Sequence, residues 1–100
     1  MFVVTVLYPA KAKFDYAYYQ NKHMKLVADR WGDMGLVEER VVKVAAAAAG
    51  EPQHQVITQL KFSSQERFNA ALAAHGAEIM GDIANFTDGS PVVEFGTQLG

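Results

Sequence analysis

Residues 2 to 8, Phe2-Val3-Val4-Thr5-Val6-Leu7-Tyr8, are β-branched and aromatic, and Pro9 stops the run, as expected of a β-strand. Alternation sends Phe2, Val4, Val6 and Tyr8 to one side, and Val3, Thr5 and Leu7 to the other. Both faces are therefore apolar and both need a cover. A chain of 100 residues has room for one ordinary core. Its helices can shield one face of a small sheet, and a second copy of the sheet is the economical cover for the other. Each large side chain left in water forgoes about 1.5–3 kcal/mol of burial. A homodimer is thus expected; the alternative is a monomer with an apolar outer face or a different partner.

Asp15 is placed to cap a helix running to about Trp31, where Gly32 ends it. Gly32 to Gly35 is turn chemistry. Leu36 to about Val44 combines valines with Glu38, Glu39, Arg40 and Lys43, which suits an edge strand. Ala45 to Ala49 are too few to nucleate a helix and predict a loop or frayed strand end. Gln55 to Phe62 alternates Val56, Thr58, Leu60 and Phe62 against Ile57, Gln59 and Lys61, a strand with one more buried face. Ser63 and Glu66 have capping-box spacing and introduce a helix over 64–75 with the stripe Phe68, Ala71, Leu72. Gly76 is expected to interrupt it, with a further short helical piece over 77–84. A loop over 85–91 leads to a last strand, Val92 to about Thr97. The order βαββαβ predicts a single α+β domain over residues 1–100: a ferredoxin-like, four-stranded antiparallel sheet with two helices on one face.

Nine Lys and Arg against eleven Asp and Glu give a net charge of −2, spread along the chain. No electrostatic footprint for nucleic acid or an anionic membrane results. The absence of cysteine excludes disulfides, thiolate metal sites, iron–sulfur ligation and a Cys nucleophile. No apolar run approaches the roughly 20 residues of a membrane span. The N-terminus lacks a basic leader, so a cytoplasmic location is expected.

Projected at about 100° per residue, the first helix puts Tyr18, Lys22, Lys25 and Asp29 on a wet side. The opposite arc contains Tyr16, Tyr19, Met24, Leu26, Val27 and Trp31, together with His23, Arg30 and Gln20. Tyr16, Tyr19, His23 and Leu26 form a ladder that places an imidazole near two phenols. Such a histidine can exchange protons near neutral pH. It can equally be a core histidine satisfied by a tyrosine or a carbonyl. The clustering of titratable groups favours a site. His75 lies on the stripe of the second helix, pointing inward or, beside Gly76, serving that helix's last carbonyls. His54 sits in a polar loop. The three histidines lack metal-ligand spacing and a carboxylate nearby in sequence, so no metal is expected; a site from His23, His75 and Glu78 or Asp82 is the only metal set to weigh. Asn85, Thr87 and Asp88 suit local turn bonds or a site. No glycine-rich phosphate loop is present.

Three stretches together resemble the EthD family over nearly the whole chain: Phe14-Asp15 with Tyr18-Tyr19 and His23-Met24; Phe68 and Ala70-Ala71-Leu72 before His75-Gly76; Asp82-Ile83, Asn85-Phe86-Thr87-Asp88 and Pro91-Val92. The five alanines at 45–49 depart from the glycine-rich loop expected there. The resemblance implies a ferredoxin-like subunit of a dimeric α+β barrel, the fold of cofactor-free lactone isomerases, polyketide cyclases and small monooxygenases, among which fold does not select. The expectation is a cofactor-independent acid–base enzyme for a small aromatic or lactone-like molecule. His23 would shuttle a proton, with Tyr19 and Tyr16 orienting it or holding an enolate oxygen. Arg30, Asn85, Thr87 and His75 would bind substrate, with Asn85 polarising a carbonyl. The alternatives are a small-molecule-binding or accessory module of a degradation pathway, and a haem barrel using His23 or His75.

Overall fold

A computed structural model describes residues 1–100. Its strands are β1 (Phe2–Pro9), β2 (Leu36–Lys43), β3 (His54–Phe62) and β4 (Val92–Thr97), in one antiparallel sheet of order β2-β3-β1-β4. The first helix spans residues 16–31 and the second Gln65–Gly81, followed by a 3₁₀ turn at Asp82–Asn85. This is the α+β, ferredoxin-like arrangement expected. The strand that is apolar on both faces lies in the interior of the sheet, and the charged strand β2 lies at an edge. No helix is long and apolar enough to cross a membrane.

Register explains the core. Val4 of β1 faces Leu60 and Phe95, and Val6 faces Thr58 and Val93, so these side chains share the face beneath the helices. Val4, Tyr8, Val56, Thr58, Leu60 and Phe62 are buried there against Tyr19, Met24, Val27 and Trp31 of the first helix and Phe68, Ala71 and Ile79 of the second. The Trp31 indole N–H donates to the Ala71 carbonyl at 2.8 Å, which ties the helices together without an orphaned polar group. On the opposite face Val3, Thr5, Leu7, Ile57, Gln59 and Lys61 are half-buried only by one another, and Val42 and Val92 are exposed at its margins. That face is not uniformly apolar: Glu38 accepts from Arg40 at 3.0 Å and lies 3.1 Å from the Lys61 ammonium.

The helices differ from expectation in three places. Gly76 does not interrupt the second helix, which runs unbroken to Gly81, because one glycine costs only about 1 kcal/mol relative to alanine and Ile79 beyond it is buried. The cap of that helix is Ser64, whose hydroxyl accepts from the Arg67 N–H at 3.1 Å, so the Ser63–Glu66 box does not form. The first helix is capped by Asp15 as expected, but a π-turn at Tyr19–His23 divides it, with the Met24 N–H bonded to the Tyr19 carbonyl. Gly35, at φ +95, reverses the chain into β2 where a Cβ would meet Arg67 at 2.8 Å. Ala45 to Ala49 are irregular, as their shortness requires.

Candidate functional site

The π-turn decides what faces the core. Continuing the Met24, Val27, Trp31 stripe upstream as regular α-helix brings Gln20 inward and leaves Tyr19 at the side. The extra residue in the turn shifts that phase: Tyr19 and His23 are buried and Gln20 is exposed. Their rings stack 18° from parallel with centroids 5.4 Å apart. Phe86, from the loop after the second helix, packs on the imidazole at 4.6 Å.

Both rings line a cavity of about 600 Å³ between the inner face of the sheet and the helices, opening between the second helix and β4. Val4, Leu60, Val27, Phe68 and Ile79 are among its apolar walls. Its polar groups come from Tyr8, Tyr19, His23, Thr58 and Thr87, with Asp88 and Ser90 of the final loop. Leu72, Met80, Val93 and Phe95 border it and are exposed, because β4 has no helix above it.

His23 is 3% exposed, and its Nδ1 lies 2.9 Å from Asp82 Oδ2. A carboxylate accepts, so Nδ1 carries the proton and Nε2 keeps its lone pair, with no hydrogen bond from the chain, on a ring that lines the cavity. Asp82 is built to stay ionised. Its Oδ1 accepts from the Tyr18 hydroxyl at 2.6 Å and from the Asn85 amide at 2.9 Å. Burial raises its pKa, but the bonds from Tyr18, Asn85 and His23 outweigh burial and hold the carboxyl below its ordinary value. For His23, desolvation dominates over the bond and charge of Asp82, so its pKa is lowered from the ordinary histidine value. The ring is neutral at neutral pH, with an anion behind it to steady a proton arriving at Nε2.

Two phenols complete the polar end of the cavity. The Tyr19 hydroxyl is engaged with the Thr58 hydroxyl. The Tyr8 hydroxyl, beside it, is directed at the Tyr19 hydroxyl. Burial, then the proximity of Tyr19, drives the Tyr8 pKa far above that of a free phenol, so Tyr8 remains a proton donor in hydrogen bonds. Burial raises Tyr19 too, against the bonds from Thr58 and Tyr8.

The expected site residues are only partly gathered. His23, Tyr19 and Thr87 line the cavity. Thr87 also fastens the final loop, donating to the Lys13 carbonyl and accepting from the Gly89 N–H at 3.2 Å, next to the bridge between Phe14 and Thr87. Asn85 is exposed and acts on Asp82 instead of on the cavity. Tyr16 lies away from His23: its hydroxyl donates to Gln55 at 2.6 Å, Gln55 donates to the carbonyls of Pro9 and Ala12, and the Lys43 ammonium sits 4.4 Å over its ring. Arg30 is at the margin of the buried arc and turns outward to Glu78 at 2.8 Å. His75 is half-buried outside the cavity and, since the helix continues past Gly76, is not at a C-terminus. Tyr18 and Asp82 belong to the site although the projection had Tyr18 in water. Tyr8 and Thr58 belong as well; their inward register on β1 and β3 was the available signal.

The sequence matches the EthD domain over residues 9–90. No curated protein is significantly similar in sequence. An EthD-like protein from Ralstonia eutropha JMP134 is 39% identical, with 95% of this chain and 88% of that one covered and a TM-score of 0.86. An ethyl tert-butyl ether degradation (EthD) family protein from Bacillus halodurans C-125 is 15% identical, covering 99% and 100% of the two chains, at a TM-score of 0.68. A dimeric ferredoxin-like protein from an uncultured marine organism is 13% identical over 100% of this chain and 96% of that one, at 0.62. The likeness in fold, the match across most of the sequence and the identity to the Ralstonia protein agree: this chain belongs to the EthD family.

Proposed function

We propose that this protein processes a small molecule by general acid–base chemistry in the cavity, with His23 as the proton-transferring group. What carries the reading is the His23–Asp82 pair: an imidazole with Nδ1 committed to a carboxylate and Nε2 without a partner, inside an apolar cavity. In the step envisaged, Nε2 takes a proton from a carbon next to a carbonyl. The C–H electron pair moves into the carbon–carbon bond as the carbonyl oxygen gains charge, and the Tyr8 hydroxyl donates to that oxygen. Return of the proton at another carbon isomerises the molecule; attack by the enolate carbon on a second carbonyl closes a ring. Neither outcome needs a cofactor. Asp82 is a positioning residue that fixes the tautomer and steadies the imidazolium, and Tyr18 and Asn85 hold Asp82. Tyr19 braces the imidazole by stacking.

The test uses the intact protein in D₂O with enolisable lactones and aryl ketones, following deuterium uptake and product by mass spectrometry. Uptake is expected, and His23→Gln is expected to lower it about 10²–10⁴-fold. If molecules bind but none exchanges or reacts, or if His23→Gln retains full turnover, the protein is a binding or accessory module and the acid–base reading is wrong.

The working unit is, on this reading, a homodimer. Val3, Leu7 and Ile57 on the uncovered face support it, as does the fold shared with a protein described as dimeric.

A further inference from the structure

The equipment of the cavity is one-sided. None of its twenty-three lining residues is Lys or Arg, and its only carboxylate, Asp88, stands in the final loop at the rim, accepting the Lys13 backbone N–H at 2.9 Å. Arg30 of the first helix points to the surface and is paired with Glu78. Asp82 lies behind the imidazole and outside the lining, with both of its oxygens engaged by Tyr18, Asn85 and His23. A carboxylate or phosphate in this space would meet no counter-charge, and an ammonium would meet no carboxylate except Asp88, which is exposed at the rim. Leaving a charge desolvated and unpaired costs far more than an apolar contact returns.

The polar capacity that remains is small. Thr58 is engaged with Tyr19, and Thr87 with Lys13 and Gly89. In depth the His23 Nε2 is left as an acceptor, and the Tyr8 hydroxyl, directed at Tyr19, as the donor that a ligand oxygen can draw toward itself, on rings that both pack against Tyr19; the Ser90 hydroxyl stands at the rim. Everything else a ligand would touch in depth is hydrocarbon, and about 600 Å³ is within the ordinary size range of small-molecule sites.

We propose that the cavity selects an uncharged, largely hydrocarbon molecule bearing one carbonyl oxygen, which accepts from Tyr8, and that it excludes carboxylates, phosphates and ammonium groups. The proposal names the substrate class of the acid–base site above and rests on that reading for the location of the site, but it concerns binding and stands or falls without turnover.

A matched set of naphthalenes tests it by calorimetry on the intact protein at pH 7.5: 2-acetylnaphthalene, 2-ethylnaphthalene, 2-naphthoate and 2-naphthylmethylammonium. The neutral ketone is expected to bind tightest, the hydrocarbon about tenfold weaker for want of the Tyr8 bond, and both ions at least about a hundredfold weaker. Tyr8→Phe is expected to bring the ketone to the level of the hydrocarbon while leaving the hydrocarbon unchanged. Should Tyr8→Phe fold poorly, Thr58→Val, which frees the Tyr19 hydroxyl to compete for the same oxygen, is expected to preserve the order ketone, hydrocarbon, ions. Naphthoate or the amine binding as tightly as the ketone overturns the proposal, and so does failure of all four to bind. Ketone selectivity without deuterium exchange in D₂O upholds this proposal and sinks the acid–base one.

Discussion

At the scale of single residues, the account turns on two shifted groups, and both make acid destabilising. The folded pKa of His23 lies below its ordinary value of about 6.5, so the unfolded chain takes up that proton first, and stability declines as the pH falls below neutrality toward the folded value. Asp82 is held below the ordinary carboxylate value; its contribution is present above about pH 4 and lost as the pH falls through its folded value. His23→Gln is therefore expected to flatten the dependence of Tm on pH below about 6.5, which a scanning-fluorimetry series reads directly. A steep dependence in both proteins would move the cause elsewhere. Asp82→Asn removes the charge and weakens the hydrogen bond that raise the His23 pKa, so its NMR titration midpoint is expected to fall further; a rise would contradict the assigned balance. Sequence exposed part of this arrangement. His23 beside Tyr19 was legible from spacing alone. Asp82 was not assigned as the partner, because 59 residues separate it from His23 and a local reading pairs only neighbours. Arg30 and Tyr16 share the buried arc in sequence but not the site: long polar side chains at the margin of such an arc can turn away from it, toward Glu78 and Gln55 here.

At the scale of elements, the strands were legible because alternation and turn residues are local signals, and each predicted strand is present close to its expected bounds. The helices were legible in existence and less so in phase. No residue type announces a π-turn; it arises here where Tyr19 and His23 both gain burial, and its outward sign is Gln20 in water. Two substitutions test the second helix. Ser64→Ala is expected to cost about 1 kcal/mol in urea unfolding and Ser63→Ala close to nothing, the reverse of what the Ser63–Glu66 spacing suggests. Gly76→Ala sets a gain of about 1 kcal/mol in helix propensity against a Cβ 2.7 Å from the Leu72 Cδ1. Leu72 is exposed and its terminal methyl can swing aside, so a stabilisation of up to about 1 kcal/mol is expected; a loss would mean that Leu72 is fixed.

At the scale of the molecule, the order βαββαβ led correctly to a ferredoxin-like sheet, and the apolar surplus on both faces of β1 is what the proposed pairing would cover. The uncovered face mixes Val3, Leu7 and Ile57 with the Lys61, Glu38 and Arg40 row, a composition suited to a two-fold contact in which charges are paired within each copy. Light scattering at micromolar concentration is expected to give the mass of two chains, and Ile57→Lys the mass of one; a single-chain mass for the unaltered protein removes the dimer but leaves the cavity, which lies wholly within one copy. The claim on which the functional account depends is narrower: an imidazole kept neutral, with its proton on the Asp82 side and its lone pair turned to an apolar space. Proton–nitrogen correlation spectra of the labelled ring at pH 7.5 test it without any substrate. The account predicts a neutral His23 with the proton on Nδ1 and a titration midpoint below about 6.5; a proton on Nε2, or a charged ring at that pH, would contradict it.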